Sequence, residues 1–363
     1  MEYRLKEILQ DKGYIRGPFG SSLKRNELKS TGIPVYEQQH AIYATREFRY
    51  YIDEEKYSQM KRFTVKPKDL IISCSGTIGK VDLISEKDPI GIISQALLIL
   101  RANTDIVLPE YLFYFFKSDY GYNSIISRSM GSVQVNIAKR EVIENIKINI
   151  PSLKEQEKIV KILSNIDEKI KLNNQINDNL FKIGDQLYFE NFDKYKKELP
   201  DGYRIVKLGD AVSNYDSKRK PMSSRERKLH QGLYPYYGAT SIIDYVDDYI
   251  FDDTYLLMGE DGTVKTDEGY PVLQYIWGKN WINNHAHVLK GEKISTEFLV
   301  FALRKINIES IITGAVQPKI NQENMNKIEF VIGTGSKNRE YENIFTNIMN
   351  KYKNIIEENK RLE

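Results

Sequence analysis

Two stretches of the chain place apolar residues at alternating steps of three and four, the spacing of a coiled-coil seam on one helix face. The first follows IPSLKEQEKIVKILSNIDEKI, which begins at Ile150, and the second follows TGSKNREYENIFTNIMNKYKNI, which begins at Thr334. The opposite faces are charged, so neither helix is stable alone. The pattern predicts two long helices that pack on each other through these seam residues: Ile159, Leu163, Ile166, Ile170, Leu180, Phe345, Ile348, Tyr352 and Ile355.

The start of the first helix is marked by a capping signal. Ser152 and Glu155 match the Ser-x-x-Glu capping box, and no further proline occurs before Pro200. The sequence therefore predicts one helix from about residue 152 to about residue 192, roughly 60 Å long.

The second helix is predicted to start at Ser336 with an imperfect box, because Arg339 stands where an acidic side chain is preferred. If the two helices run antiparallel, the segment from Ile159 to Ile170 is expected to lie against the far part of the second helix, around Ile355 to Leu362.

The segments before the two helices resemble each other in the order of their motifs, which indicates an internal duplication. Each reads as short strands of alternating polarity, tight glycine turns and short helices, the pattern of an α+β domain. The matched pairs are YRLKEI with YRIVKLGD, GIPVYEQQH with GLYPYYGAT, DLIISCSGTIGK with TYLLMGEDGTVK, SQALLIL with NHAHVLK (Ala96 opposite Ala286), PEYLFYFFKS with TEFLVFALRK, and GSVQVNI with GAVQPKI.

Composition adds few constraints. The 363 residues suit two domains, and 41% hydrophobic residues provide for two cores. The net charge of +3 leaves room for a basic face. The single cysteine, Cys74, excludes an intramolecular disulfide and favours a reducing, cytoplasmic location. The charged N-terminus argues against a signal peptide, and no apolar run is long enough to predict a membrane span.

Motifs for catalysis are missing from the sequence. We find no phosphate loop, no dinucleotide loop, no N-P-P-Y motif and no G-x-S-x-G elbow. His285 and His287 share one side of a likely strand, but two ligands do not make a zinc site. Core or loop packing is a simpler interpretation of Cys74 than a catalytic role. A glycine-rich turn is a simpler interpretation of GEDGT at 259–263 than a metal site. The sequence therefore predicts no catalytic residue, no metal site and no cofactor.

The repeated order strand, SGTIGK turn, strand, PEYLFYFF helix, GSVQVNI loop, strand and IPSLKEQEKI helix resembles the DNA-specificity subunit of type I restriction-modification enzymes. The resemblance covers essentially the whole chain. It implies an α+β fold with two similar target-recognition domains separated by an antiparallel pair of long helices, related by a pseudo-twofold repeat. The implied boundaries are 1–150 and 199–334 for the recognition domains, and 151–198 and 335–363 for the spacer helices.

The same resemblance implies a function without catalysis. Such a subunit recognises a bipartite motif in double-stranded DNA and directs methylation subunits, expected to be two, and restriction subunits. A DNA-recognition subunit that acts with a fused methyltransferase-nuclease chain is the alternative within restriction systems. A stand-alone enzyme whose site escapes the motifs above is the alternative from another class.

Basic, polar loops at matching places of the two repeats are the candidate DNA contacts. The segments 20–30 and 213–228 both combine Lys and Arg with Ser and Asn, although a charged run is as often only a solvated surface. Amide and hydroxyl side chains are suited to base edges, and cations to phosphates. The candidates are Lys24, Arg25, Gln38, Gln39, His40, Thr77, Lys80, Arg128, Ser132, Gln134, Asn136, Lys218, Arg219, Lys220, Tyr237, Thr240, Thr263, Lys265, Gln317 and Lys319.

Overall fold

The chain forms two compact units in the computed structural model. Unit 1 comprises Met1–Glu168 and unit 2 comprises Lys169–Glu363. Unit 2 therefore begins within the first long helix, earlier in the chain than the start of the second recognition domain expected at residue 199. The residues that the structure describes are 1–19, 22–128, 136–314 and 317–363.

Unit 1 mixes strands with short helices. Its strands are β1 (Glu2–Arg4), β2 (Leu9–Arg16), β3 (Ile33–Tyr36), β4 (Tyr51–Ile52), β5 (Leu70–Ser73), β6 (Val81–Leu83), β7 (Ile92–Ile93), β8 (Leu97–Ala102) and β9 (Lys147–Asn149). Its helices are α1 (Gln38–Ile42), α2 (Glu54–Met60), α3 (Pro109–Lys117), α4 (Asp119–Ile126), α5 (Arg140–Glu144) and the start of α6 (Leu153–Asn191). Short 3₁₀ turns are formed by Leu5–Ile8, Arg25–Glu27 and Lys61–Phe63.

Unit 2 repeats this composition after the end of α6. Its strands are β10 (Tyr203–Lys207), β11 (Val212–Asn214), β12 (Gln231–Tyr237), β13 (Ile242–Val246), β14 (Phe251–Asp252), β15 (Tyr255–Gly259), β16 (Leu273–Ile276), β17 (Lys279–Ile282), β18 (Ala286–Gly291) and β19 (Glu329–Gly333). Its helices are α7 (Leu208–Ala211), α8 (Ser224–Leu229), α9 (Thr296–Leu303), α10 (Gln322–Asn326) and α11 (Gly335–Leu362), and its 3₁₀ turns are Asp193–Tyr195, Asp216–Lys218 and Glu309–Ile311. No helix in the described ranges is both long and apolar enough to cross a membrane.

The two units share one topology, which confirms the predicted α+β repeat. The sheet β2-β8-β5-β6 of unit 1 corresponds to β11-β18-β15-β16 of unit 2. A second sheet, β4-β3-β7, corresponds to β13-β12-β17-β14, and both contain one parallel pair, β3 with β7 and β12 with β17. In each unit the first strand pairs with the strand that precedes a long helix, β1 with β9 and β10 with β19.

The strand register corrects one detail of the predicted repeat. Leu97 pairs with Ser73 in unit 1, whereas Ala286 pairs with Gly259 in unit 2. Ala286 therefore corresponds to Leu97 and not to Ala96, and His287 corresponds to Leu98. The sequence comparison matched two alanines, but the backbone pairing decides which side chains face the same core.

The start of α6 matches the prediction. Glu155 accepts hydrogen bonds from the backbone N–H of Ser152 at 3.0 Å and from its hydroxyl at 2.7 Å. The neighbouring Gln156 is fully buried and joins the helix to the preceding core. Its side-chain oxygen accepts from the N–H of Leu108 at 2.8 Å, and its amide donates to the carbonyl of Ile106 at 3.0 Å. Glu155 thus caps the helix, while Gln156 anchors it to unit 1.

Helix α11 begins at Gly335, within one residue of the start predicted near Ser336, but its N-cap is Thr334 and not Ser336. Thr334 donates to the carbonyl of Gly202 from its backbone N–H at 2.8 Å and from its hydroxyl at 3.2 Å. These bonds continue the pairing of β10 with β19 up to the first helical residue. The cap side chain is therefore used for strand pairing instead of capping.

Within unit 2, α11 runs antiparallel to the second half of α6. The buried Asn173 donates to the side-chain oxygen of Asn359 at 2.7 Å, and Lys169 pairs with Glu358 at 2.6 Å. Asn359 in turn donates to the side-chain oxygen of Asn174 at 3.0 Å. Lys169, within the segment predicted to meet Ile355–Leu362, thus contacts Glu358, while the buried pair of Asn173 with Asn359 lies just beyond that segment. Buried amides satisfy each other better than apolar neighbours would, and this pairing sets the register.

The predicted seam residues differ in burial. Phe345 and Ile355 are buried, and Leu180, Ile348 and Tyr352 are half-buried in unit 2. Leu163, Ile166 and Ile170 are also half-buried, whereas Ile159 is 37% exposed.

A glycine in α6 admits an aromatic ring from α9 into this helix pair. A Cβ atom at Gly184 would lie 2.1 Å from Cε1 of Phe301, a side chain that is 1% exposed. Phe301 also packs against Phe345 of α11, with ring centroids 4.9 Å apart. Glycine in a helix interior costs about 1 kcal/mol relative to alanine. Close packing of α6, α9 and α11 offsets that cost here.

We predict that Gly184→Ala destabilises unit 2, although the same change in an open helix would stabilise it. The added methyl overlaps the Phe301 ring, and overpacking typically costs about 1–3 kcal/mol. Urea unfolding should show a lower midpoint than for the wild type. The matched control is Asn179→Ala on the exposed face of the same helix, which should leave stability unchanged or raise it slightly. An equal rise in the urea midpoint of both variants would contradict the claim that Phe301 fills the space at Gly184.

Candidate nucleic-acid interface

A glycine turn and a polar loop meet at the end of the central strand of each unit. In unit 1 the turn Ser75–Thr77 follows β5, and Gly76 has a φ of +64°, which favours glycine. Ser75 pairs with Asn136 as an isolated bridge, and its hydroxyl donates to the side-chain oxygen of Asn136 at 2.9 Å. We call this arrangement, and its counterpart in unit 2, the turn–loop pair. The predicted candidates Thr77 and Asn136 are therefore brought together.

The turn–loop pair of unit 2 is built in the same way. The turn Asp261–Thr263 follows β15, and Gly262 has a φ of +85°. Asp261 pairs with Lys319 as an isolated bridge, and the side-chain amide of Gln317 donates to the Asp261 carboxylate at 2.6 Å. Exposed Thr263, Gln317 and Lys319 therefore lie beside one another.

Backbone hydrogen bonds next to the turns are also matched. The N–H of Ile137 donates to the carbonyl of Cys74 at 3.0 Å, and the N–H of Ile320 donates to that of Glu260 at 2.9 Å. Cys74 and Glu260 thus occupy corresponding positions with different chemistry. Cys74 is fully buried, and burial raises the pKa of its thiol to about 12, so the thiolate is scarce at neutral pH.

An ion network beneath the unit 2 turn comprises Asp216, Arg219, Glu260 and His287. Exposed Lys319 lies 3.5 Å from the Glu260 carboxylate at its edge. Nδ1 of His287 lies 2.6 Å from the Asp216 carboxylate, and Nε2 lies 2.8 Å from the carbonyl oxygen of Ile320. Both ring nitrogens therefore lie within hydrogen-bond distance of an oxygen atom. Arg219 donates to Glu260 at 2.6 Å. The network links β18 to both elements of the turn–loop pair.

The network also explains the only cluster of potential metal ligands in the described ranges. Ligand atoms of Asp216, Glu260 and His287 lie within 4.8 Å of one another. Asp216 accepts from His287 and from the N–H of Val288 at 2.8 Å, while Glu260 accepts from Arg219. Although burial raises the pKa of Asp216, the hydrogen bond and charge of His287 lower it below its usual value overall. The carboxylates are thus occupied as ion-pair partners.

Two predicted DNA contacts lie in positions that prevent such a contact in this conformation. His40 is fully buried, and its ring accepts from the N–H of Glu37 at 2.7 Å and donates to the carbonyl of Glu47 at 3.1 Å. Burial lowers the pKa of His40, which favours this neutral form. The Arg219 side chain is 11% exposed and committed to the ion network. Both residues support neighbouring loops instead of facing solvent.

Several other candidates lie close to the turns. Gln38 donates to the carbonyl of Thr77 at 3.4 Å, which connects α1 to the unit 1 turn, and half-buried Gln39 donates to the carbonyl of Glu47 at 3.2 Å. Lys80 lies over the ring of Tyr122, with its Nζ 4.5 Å from the centroid. These contacts leave Thr77 and Lys80 exposed.

The remaining candidates are distributed over the loops. Lys24, Arg25, Lys218, Lys220 and Thr240 are exposed, and Tyr237 is half-buried. Lys265 is paired with Glu309 at 2.7 Å, and Arg128 donates to the carbonyl of Ser124 at 2.6 Å. Ser132 and Gln134 lie outside the described residues.

Sequence reasoning missed Asp216 and Glu260 as partners of His287, and it missed a group of cations beside β2. The sequence gives no local signal for these partners, because the two acids and the histidine come from three separate segments. The cations Arg16, Arg62, Lys139 and Arg140 line one cleft. They were overlooked because three separate segments supply them.

We predict that Asp216→Asn destabilises unit 2 by about 3–5 kcal/mol at pH 7, because it leaves buried cations short of one counter-charge. The pKa of Asp216 is lowered in the folded protein. Its stabilisation is therefore complete above the unfolded pKa of about 3.9, and it is lost as the pH falls through the folded value. Urea unfolding at pH 7 and below pH 4 tests both points. The variant should lose less stability on acidification than the wild type.

Asp210→Asn is the matched control, because Asp210 is exposed. It should unfold like the wild type at both pH values. Equal unfolding free energies for Asp216→Asn and the wild type at pH 7 would contradict a stabilising network.

Both repeats of the chain match a family of known proteins. The family model described as type I restriction modification DNA specificity domain matches twice, over residues 2–181 and 200–363. A putative type I restriction enzyme specificity subunit from Haemophilus influenzae is 36% identical over 125 residues, which are 34% of this chain and 31% of that protein. The type I restriction enzyme MjaIX specificity subunit from Methanocaldococcus jannaschii is 28% identical over 201 residues, 49% of this chain and 45% of that protein.

The fold has a counterpart among solved structures. The crystal structure of the S subunit of a type I restriction-modification system from M. genitalium aligns with all of this chain and 92% of that chain, with a TM-score of 0.56 and 15% identity. This likeness supports the fold. The chain covers less than half the length of the two curated relatives above. Because the family model accounts for nearly all of the sequence in two consecutive copies, the chain belongs to the type I restriction modification DNA specificity family.

Proposed function

We propose that the chain is a sequence-specific DNA-binding subunit that recognises a bipartite motif and directs the methylation and restriction subunits of a type I restriction-modification complex. The observation that carries this proposal is the turn–loop pair, which occurs once in each unit with corresponding hydrogen bonds. Two similar units that each present one such pair are suited to two half-sites. The curated relatives, which are specificity subunits by name, support the same conclusion.

The chemistry at the two turn–loop pairs is that of base and phosphate recognition. Thr77, Thr263 and Gln317 offer hydroxyl and amide groups at exposed positions. Such groups hydrogen-bond base edges in the major groove. Lys80 and Lys319 lie near them and are exposed, so they are suited to neighbouring phosphates. Base contacts and backbone contacts would thus come from adjacent side chains in each unit.

The chain contributes recognition and leaves catalysis to its partners in this proposal. The carboxylates and the imidazole of the ion network are engaged with one another, and the buried thiol of Cys74 is held protonated. These groups therefore lack the free, activated state that a nucleophile or a general base requires.

An apolar flank on the second half of α6 is the proposed docking site for the methylation subunits, of which we expect two. Leu172, Ile176 and Ile183 are 51%, 41% and 52% exposed, and they lie beside the face that packs on α11. Large apolar side chains aligned on a solvent-facing flank are typical of a protein interface. A helical partner would extend the existing helix pair along this flank.

The bipartite function is tested by sequencing the methylome of a host that expresses this chain with its methylation subunits. We expect one split motif that disappears without the chain. Replacing residues 1–150 with the first unit of another family member should change one half of the motif, because each unit acts separately. A change in both halves, or in neither, would contradict the assignment of one half-site to each unit.

The docking flank is tested by the double variant Ile176→Asp and Ile183→Asp. Burial of each isoleucine at an interface is worth at least about 1.5 kcal/mol, so the affinity for the methylation subunit should fall about 100-fold or more. Calorimetric titration of the purified proteins measures this change. Gln186→Asp, also exposed on α6, is the control and should bind normally. Unchanged binding by the double variant would place the docking site elsewhere.

A further inference from the structure

A basic cleft of about 400 Å³ opens on unit 1 beside its turn–loop pair. Ile137, one residue after Asn136, forms part of its wall, and Phe19, just before the loop 20–30, forms another part and is 78% exposed. The cleft therefore lies between two segments that the sequence nominates as DNA contacts. Its polar lining consists of cations together with one buried tyrosine: Arg16, Arg62, Lys139, Arg140 and Tyr14.

Three of these cations have no carboxylate partner among the described residues. Arg140 pairs with Glu144 at 2.8 Å, whereas Arg16, Arg62 and Lys139 form no ion pair with the described part of the chain. Nη1 of Arg16 is also buried and finds no hydrogen-bond acceptor within these same ranges. A buried cationic nitrogen without a partner is costly unless an anion completes the site.

Comparison of the two repeats shows that Arg16 of unit 1 stands where unit 2 has an acidic side chain. Arg16 pairs with Leu98 on β8, and Leu98 corresponds to His287. Continuing the pairing of Asn214 with Leu289 places Asp216 opposite His287. Arg16 thus occupies the position of Asp216, and Cys74 that of Glu260. Unit 2 fills this region with a balanced ion network, whereas unit 1 has a cation there and neither acidic side chain.

Unit 2 also lacks the rest of the cleft's charge. The helices α5 and α10 correspond, and their N-caps are Lys139 and Asn321, so Lys139 and Arg140 correspond to Asn321 and Gln322. Two amides thus stand where unit 1 has two cations. The basic cleft is therefore a feature of unit 1 alone and is not explained by the shared fold.

We propose that this cleft binds a phosphodiester of the DNA backbone, with Arg16 as the inner ligand and Arg62 and Lys139 at the entrance. The proposal rests on the function proposed above and identifies where unit 1 grips the duplex. A guanidinium presents several N–H donors in one plane, which matches the oxygens of a phosphate. Because the cleft lies beside the turn–loop pair, a phosphate bound in it would fix the position of the bases that face that pair.

The test compares Arg16→Met, Lys139→Gln and Arg62→Gln with the control Lys87→Gln, an exposed lysine without an ion pair in the described ranges. Each full-length chain, in complex with its methylation subunits, is titrated against a duplex that carries the motif and a duplex that lacks it. Fluorescence anisotropy at several salt concentrations gives the slope of log K against log [salt]. Loss of one phosphate contact should lower this slope by about 0.9.

We expect each cleft variant to bind both duplexes several-fold more weakly and with a smaller salt slope, while Lys87→Gln behaves like the wild type. Arg16→Met should not lower the melting temperature of the free protein, because it removes a partly buried cation that has no carboxylate partner in the described ranges. Lys139→Gln and Arg62→Gln change exposed side chains and keep the test valid if Arg16→Met misfolds.

Three results would overturn the inference. Unchanged slopes in the cleft variants, with specific binding by the wild type, would refute the cleft and leave the proposed function intact. Stabilisation of the wild type by millimolar inorganic phosphate, with no effect of the cleft variants on DNA binding, would assign the cleft to a free anion. A wild-type complex that binds neither duplex would refute the proposed function and the cleft together.

Discussion

The hydrogen bond between the buried amides of Asn173 and Asn359 sets which residues of the two long helices meet in unit 2. A buried amide without a partner costs about 1–3 kcal/mol, so a shift of one turn would leave both side chains unsatisfied. Once this register is fixed, Phe181 lies against Tyr352 with ring centroids 5.0 Å apart. The position of α9, and with it the core of unit 2, depends on the same alignment.

The two units show how one backbone supports two different chemistries. Corresponding hydrogen bonds hold the turn–loop pair in both, yet the side chains beneath it differ completely. In unit 2, charged groups of opposite sign neutralise one another under the turn. In unit 1 the same region contains Cys74 and Leu98, both fully buried, and a cation. The hydrogen-bonded frame is therefore shared, and the interior that supports it has diverged.

The sequence predicted much of the fold because its strongest signals are local. The capping box and the seam placed α6 within a residue of its observed ends, Leu153 and Asn191. The capping residue of α11 was misassigned to Ser336 because Thr334 bonds to Gly202, a residue 132 positions earlier in the chain. The predicted helix register includes the contact of Lys169 with Glu358, but it did not include the buried pair of Asn173 with Asn359, because an apolar seam alone does not show which polar side chains meet.

The candidate site was less predictable, for a related reason. A sequence shows which loops carry amides and cations, but not which of those side chains turn inward. His40 and Arg219 have the composition of DNA contacts, and both are committed to partners inside the protein. Nothing in the sequence of β2 marks Arg16 as a candidate anion ligand. It becomes one because strand pairing places Leu98, and not an acidic residue, opposite it. Such information resides in strand pairing across distant segments.

The pairing of the first and last strands in each unit has a consequence for how these proteins can diverge. In unit 2 the chain enters through Tyr203–Lys207 and leaves through Glu329–Gly333, which pair along their whole length. The residues between these two strands therefore form one segment whose ends are held together by the strand pair. Doubling the length of such a segment costs only about 0.6 kcal/mol in closure entropy. The segment can therefore be replaced as a cassette of different size and sequence, while the strand pair at its base continues to present the same attachment to the helix.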